Sequence, residues 1–467
     1  MAITPIHAVS LTGGEVNTKN PHEIGLTEGA SVVNCDPREY RGAKTRAGRS
    51  TFGPSNGSGA GMKGLKVWTR DSGTQFWVYR TGTTIWHASS AGVASIGIGG
   101  ASDARMAAGA LNNILAIVAD NLTPAKWDGT TYGALGGTPP AEAKYATVYS
   151  SKLFLAGDDA NPQTVTFSAT NNPENFTATN DAGSITSQDG GGDTIQGLSA
   201  ARKWLCVFYR YYTEILIGNS VFNFSIERLC DKGLCSTTGH CSTGDVNFFA
   251  SDDAVWMVAG ARASDITTSK IREWYTAIAD KSKITLLMKN NLLLVIDYGT
   301  GQAYACDFKN LRWSCWTDQY WETGDTGNDQ SIYAGPSAST VQIFKLDTGT
   351  LDGSSTITPY WRTGNLFWGW PDCPKNLAEF RVLAKPGMPT TTITFYKNGA
   401  SVASTKDITF ATALSGDTDW AKTGPKRDCR GSFLSFKMSW SGTGTLYGWA
   451  AYGEVTSDQG EIPNEAC

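Results

Sequence analysis

Between Lys283 and Trp316 the chain reads KITLLMKNNLLLVIDYGTGQAYACDFKNLRWSCW, four short apolar runs parted by three polar turns. The turns are Asn290-Asn291, Gly299-Thr300-Gly301 and Lys309-Asn310. Asn and Gly tolerate the positive φ of tight reversals, so each junction predicts a hairpin between antiparallel strands. Runs of about five residues rich in Ile, Val, Tyr, Phe and Trp suit strands and are too short for ordinary helices. The stretch therefore predicts a four-stranded meander. Its second strand, Leu292–Ile296, is apolar throughout and is expected to be covered on both faces. A lone meander cannot cover both faces of that strand, so it needs neighbours of its own kind.

The same punctuation recurs around Phe76–Tyr79, Ile114–Val118, Lys152–Ala156, Trp204–Tyr209, Val246–Ala250 and Ile332–Ala334. A spacing of roughly 40 residues is the period of propeller blades rather than of helical solenoids. The expected fold is all-β: a diverged six- or seven-bladed β-propeller-like domain over residues 61–352, followed by a C-terminal β-sandwich over 353–467. Within the repeats, Thr177–Asp193 and Cys230–Gly244 read as polar loops. Ser269–Ala279 reads as a helix, because Ile271, Trp274, Tyr275 and Ile278 recur at helical spacing. Residues 1–60 form an N-terminal arm with little periodicity before Ser31–Cys35. Such an arm docks on something, and one use for it is to add a strand to the last blade and close the ring. After the shift at Asp352-Gly353-Ser354-Ser355, strands are expected at Ile357–Arg362, Leu377–Ala384, Thr391–Lys397, Lys406–Phe410, Phe433–Ser439 and Leu446–Gly453. Asn398-Gly399 is the strongest hairpin signal in the chain.

Composition agrees with this pattern. The 467 residues include 52 Gly and 16 Trp, and only 18% are charged, the profile of many short strands joined by turns. A net charge of -4 leaves no basic footprint for gripping nucleic acid. The 10 cysteines are scattered, below the density of a disulfide-stapled scaffold. The N-terminus lacks the basic and apolar segments of a secretory signal. No apolar run reaches the ~18 residues of a membrane span. Synthesis in a cytoplasm with mostly reduced thiols is the expectation.

Candidate chemistry is sparse. Cys230, Cys235, His240 and Cys241 lack the tight spacing of structural zinc sites, so no metal and no cofactor is expected. The only histidines are His7, His22, His87 and His240, and none lies in a nucleophile or metal motif. Asp158-Asp159, Asp252-Asp253, Asp189 and Asp193 could supply a carboxylate pair, although exposed turn aspartates are the ordinary explanation. Tyr209-Arg210-Tyr211-Tyr212 continues an apolar strand and reads as blade packing rather than as a base-stacking platform. No catalytic residue is expected. Trp321 and Trp420, set in polar surroundings, are expected to be exposed at subunit interfaces.

Asn34-Cys35-Asp36-Pro37 and Lys44-Thr45-Arg46-Ala47-Gly48 stand in the arm. Arg362-Thr363-Gly364 and Phe367-Trp368 open the C-terminal module, and Gly431-Ser432-Phe433-Leu434-Ser435-Phe436 lies near its end. With this layout the chain resembles the tail nozzle, or tail tubular, proteins of short-tailed bacteriophages. The resemblance implies a structural virion protein, made in the host cytoplasm and located in the tail. It implies a homo-oligomeric, hexameric ring against the portal or adaptor ring, anchoring tail fibres or a needle. Viral DNA would pass without sequence-specific binding, and no membrane span is implied. On that reading the acidic loop carrying Asp181, Asp189 and Asp193 is a candidate channel or gate element, mobile at Gly190-Gly191-Gly192 and repulsive to phosphate. The alternatives are a carbohydrate- or receptor-binding propeller module and a glycan-cleaving propeller enzyme.

Overall fold

The computed structural model describes residues 4–8, 11–57, 60–89, 92–177, 181–187, 192–260, 262–337, 341–367, 373–408, 419–423 and 430–455. The meander at the centre of the sequence forms with strands Ile284–Lys289, Leu292–Asp297, Gln302–Asp307 and Arg312–Trp316. Its turns contain Asn290 at φ 52° and Gly301 at φ 75°, the conformations those residues tolerate. Six further sheets repeat this unit, and together they make seven blades. Five are self-contained meanders, starting with Met62–Thr69, Met106–Leu111, Tyr145–Tyr149, Ile195–Ala200 and His240–Thr243. The 284–316 meander is the sixth. The seventh comprises Trp321–Thr326, Ile332–Pro336 and Ile343–Leu346, and its outer strand is Arg49–Phe52 from the N-terminal arm. The first strand of the seventh blade packs beside that of the first, which closes the ring.

Blades stick to one another through apolar layers. Leu292, Leu294 and Ile296 of the sixth blade pack with Trp321, Ile332, Ala334 and Leu346 of the seventh, and Leu294 and Ile296 are fully buried. Trp321 is thus a core residue, not an exposed one. It is 3% exposed, its indole N–H donates to Gln319 Oε1 at 2.8 Å, and Phe344 lies 5.1 Å away. Its polar sequence neighbours alternate to the other side of a strand. Trp420 lies in strand Asp419–Thr423, which pairs with Phe380–Ala384 in the sandwich.

Two stretches expected to be loops contain strands. Gly183–Thr186 is the outer strand of the third blade, and His240–Thr243 is the inner strand of the fifth. Both are short and mostly polar, which hides them from any search for apolar runs. The helix spans Thr268–Ala277. Ile271 and Tyr275 pack under the sixth blade, and Tyr275 donates its hydroxyl to Ser251 O at 2.6 Å.

Beyond the ring the chain forms a β-sandwich. One sheet holds Lys375–Ala384 and Thr445–Val455. The other runs Tyr360–Arg362, Leu434–Ser439, Thr391–Lys397, Ala400–Ile408. The strand after Asn398 starts at Ala400 rather than at Lys406, because φ of 47° at Asn398 and 82° at Gly399 make a tight two-residue reversal. Between the sheets lie Phe380, Phe395, Phe436, Met438 and Trp449.

The arm does more than complete the seventh blade. Thr4–Ala8, Cys35–Asp36 and Ala43–Thr45 extend one sandwich sheet. Ser31–Val33 enters the other, between Arg312–Trp316 and Tyr360–Arg362, so the sixth blade and the sandwich share one continuous nine-stranded sheet. Asn34 and Arg46, both in the motifs noted above, pin this joint. Asn34 Oδ1 accepts from Thr317 N at 3.2 Å and from Arg46 Nε at 3.0 Å. The buried Arg46 guanidinium also clasps Asp352 and lies over the Trp316 ring. Gly48 is needed in the same passage, since a Cβ there would stand 1.9 Å from Leu351 O.

Candidate functional site

The inner strands of all seven blades enclose a channel of about 410 Å³. Its wall is built from small or hydroxylated side chains, among them Ala107, Ala108, Ala146, Thr147, Ser199, Thr238 and Thr285. Small residues let seven inner strands approach one axis, and the hydroxyls tie neighbouring blades together. Thr285 donates to Glu322 O at 2.9 Å, Thr238 to Ile284 O at 3.0 Å and Thr326 to Met288 O at 2.7 Å.

At the end where the inner strands begin, the channel opens into a mouth of about 350 Å³ lined by Arg105, Asp120, Lys144, Tyr145 and His240. Glu322 receives Lys63 Nζ at 2.7 Å and Arg105 Nη2 at 2.9 Å, and Arg105 also donates to the Tyr298 hydroxyl at 2.8 Å. Lys144 bridges Asp120 at 2.9 Å and Asp159 at 2.7 Å. Burial alone would depress the Lys144 ammonium, but these two acids outweigh it and hold its pKa above the usual lysine range. Deeper in, Lys66 pairs with Asp325 at 3.0 Å. Burial lowers His240 to a pKa of about 4, so the imidazole is neutral near pH 7. Burial likewise raises Tyr145 to about 12. Asp120 and Asp325, which line this space, and Glu322 buried beside it are each engaged by a cation.

The acidic-loop residues do not converge. Asp181 lies beyond the Gly183 end of the third blade's outer strand. There its carboxylate receives the fully buried Lys152 Nζ at 2.6 Å and Thr170 Oγ1 at 2.6 Å, contacts that hold its pKa below the usual carboxylate range. Asp193 lies beyond the opposite, Thr186 end, where it accepts from Tyr211 N at 2.9 Å and Thr194 N at 2.8 Å. Asp189 falls outside the described residues. Asp181 is thus held to the third blade, whereas the Asp193 carboxylate is held to the turn between Trp204–Tyr209 and Thr213–Ile217 of the fourth.

The remaining candidates are equally occupied. Asp252 pairs with Arg210 and Asp253 with Lys232. Tyr209 and Tyr212 are buried and stacked at 4.2 Å. Cys235 donates to Lys281 O while Cys230 donates to Lys232 O, and no cluster of His, Cys, Asp or Glu suited to a metal occurs among the described residues. The mouth residues Arg105 and Lys144 escaped the sequence reading. Each is a cation directly before the first strand of a blade, a signal visible only once the blade boundaries are known.

No family model and no curated protein matches the chain. Similar solved structures include the WD40 domain of Neurospora crassa Pan2, with 9% identity over 66% of this chain and 98% of that one, at a TM-score of 0.42. The WD40 propeller of Doa1 has 8% identity over 64% and 97%, at 0.43. The extracellular domain of the B. thetaiotaomicron one component system BT4673 has 10% identity over 78% and 47%, at 0.46. The likeness is one of propeller fold alone.

Proposed function

We propose that this chain is a structural subunit of a short bacteriophage tail, a propeller–sandwich block that assembles with copies of itself into a ring, conducts DNA and anchors neighbouring tail proteins. The observation that carries this reading is the arm. Between Ser31 and Phe52 it pairs in turn with the sixth blade, both sandwich sheets and the seventh blade. Separating the modules would break several strand pairings and the Arg46–Asp352 ion pair together. Such a body transmits force without an internal hinge, which suits a virion part more than a catalyst that must open and close. The channel chemistry supports the same reading, since its acids are spent on internal ion pairs.

The propeller channel itself is the size of a small-molecule pocket and does not admit a duplex. DNA therefore passes between copies of the chain, through the hole of the ring. A near-neutral subunit suits this, because each neutralised phosphate would hold the genome back. Among the described residues no helix is long and apolar enough to cross a membrane. Negative-stain electron microscopy with mass photometry of the purified protein tests the proposal. Closed rings with a central hole are expected at micromolar concentration or on addition of the neighbouring tail ring. A monomer under both conditions overturns it.

A further inference from the structure

The exposed side of the sandwich carries a pair of charges that no internal contact explains. Arg362 stands directly opposite Lys437 across adjacent antiparallel strands. Directly opposed side chains have Cβ atoms about 5 Å apart, and like charges so placed destabilise a sheet. Neither cation has an ion-pair partner among the described residues. Instead each lies over an aromatic ring, Lys437 Nζ 4.0 Å from the centre of Tyr360 and Arg362 Cζ 4.2 Å from that of Tyr396. Partial burial and the neighbouring Arg362 both press the Lys437 ammonium below its usual pKa. The rest of the row is hydroxylated: Ser31 is opposite Arg362, Thr394 is opposite Lys437, and Ser31 and Tyr360 share a hydrogen bond at 3.1 Å.

Lys437 and Tyr360 also form one wall of a cleft of about 680 Å³ against the propeller. Across it, Asp352 is taken by Arg46, while Arg49 lies over Trp321 and donates to the Asp318 carbonyl. Asp318 also lines this cleft, from the propeller side. Two cations without an acidic partner, opposite one another on adjacent strands and flanked by hydroxyls and tyrosines, with Lys437 also lining the cleft, are complementary to an anion that bears hydroxyl groups of its own.

We infer that this face binds an acidic glycan, with a sugar carboxylate seated between Arg362 and Lys437 and the hydroxyls of neighbouring sugar units bonded to the hydroxyls of Tyr360, Tyr396, Ser31 and Thr394. Single-stranded nucleic acid fits less well. Its affinity comes from many phosphate contacts along a cationic groove and from bases stacked on free rings. Here there are three cations, Arg362, Lys437 and Arg49, and each already covers a ring face. The site lies on a single subunit and does not depend on ring assembly, so its failure leaves the ring proposal intact.

Isothermal titration with tetragalacturonate tests it, alongside neutral maltotetraose, sodium sulfate and a dT20 oligonucleotide. Tetragalacturonate is expected to bind, and Arg362→Gln and Lys437→Gln are each expected to weaken it roughly tenfold or more, as for loss of a charged hydrogen bond. Lys437→Glu sets a carboxylate opposite Arg362. It is expected to abolish binding while melting no lower than the parent, which separates loss of the site from loss of the fold. The inference is overturned by absence of tetragalacturonate binding, by unchanged affinity in the variants, or by equal binding of maltotetraose or sulfate. Tighter binding of dT20 reassigns the face to nucleic acid and equally overturns it.

Discussion

Glu15 gives the sharpest prediction. It lies in the arm strand Gly14-Glu15, buried at 3% exposure between the sixth blade and Ser31–Val33. One carboxylate oxygen accepts the Tyr304 hydroxyl at 2.6 Å and the other accepts Val32 N at 2.8 Å, with no cation in ion-pair range among the described residues. Burial outweighs these hydrogen bonds and raises the pKa from 4.5 to about 7. At about 1.4 kcal/mol per pKa unit, that rise corresponds to about 3 kcal/mol. The folded chain keeps a proton that the unfolded chain has lost above its lower pKa. The stability from this group is thus complete below about pH 4.5 and is lost as pH rises through about 7.

Glu15→Gln removes the titration while keeping the volume. The new side-chain amide can donate to the Tyr304 oxygen, which frees the Tyr304 hydroxyl to turn toward Asn17 Oδ1, a buried acceptor without a partner. Urea unfolding of parent and variant from pH 4 to 8.5 measures the effect. Other groups cancel in the difference between the two proteins. That difference is expected to move by about 3 kcal/mol in the variant's favour from acid to alkaline pH. Parallel pH profiles would refute the reasoning, for they would mean that Glu15 ionises in the folded state as freely as in water.

Two further outcomes follow from the ring. Arg80, fully buried, donates to the carbonyls of Gly82, Gly99, Ala101 and Ala104 where the first blade hands over to the second. Arg80→Met leaves those acceptors without their donor and is expected to cost about 3–5 kcal/mol in urea melts, against under 1 kcal/mol if water replaces the guanidinium. Leu294→Ala opens a cavity between the sixth and seventh blades and is expected to cost about 2–5 kcal/mol. A loss below about half a kcal/mol by the same assay would show that the interface closes over the gap.

Local chemistry was enough to read the blades. Where a run of five or six apolar residues meets an Asn or Gly that accepts positive φ, strand and turn are both decided within a dozen neighbours, as at Leu292–Asp297 and at Asn398-Gly399. Outer and inner strands such as Gly183–Thr186 and His240–Thr243 were not readable. They are held by ladder hydrogen bonds to an apolar neighbour rather than by apolar side chains of their own. Trp321 misled for a related reason, since its polar flanks mark the two faces of a strand and not a surface loop.

The candidate sites were legible only as residue types. Asp181 stood out as an acid in a glycine-rich loop, but nothing nearby in sequence announces Lys152, the buried partner that claims it. The arm shows the limit most clearly. Its strands are two to five residues long, too short to carry a period, and Thr4–Ala8, Ser31–Val33, Ala43–Thr45 and Arg49–Phe52 are each defined by a sheet edge hundreds of positions away. The sequence determined which segments can be strands and where they turn. Tertiary structure alone decided which edges meet, and with them the closure of the seventh blade by Arg49–Phe52 and the opposition of Arg362 to Lys437. The physical reason is that backbone hydrogen bonds are the same at every residue: an edge accepts any strand, and only packing of the whole molecule selects its partner and register.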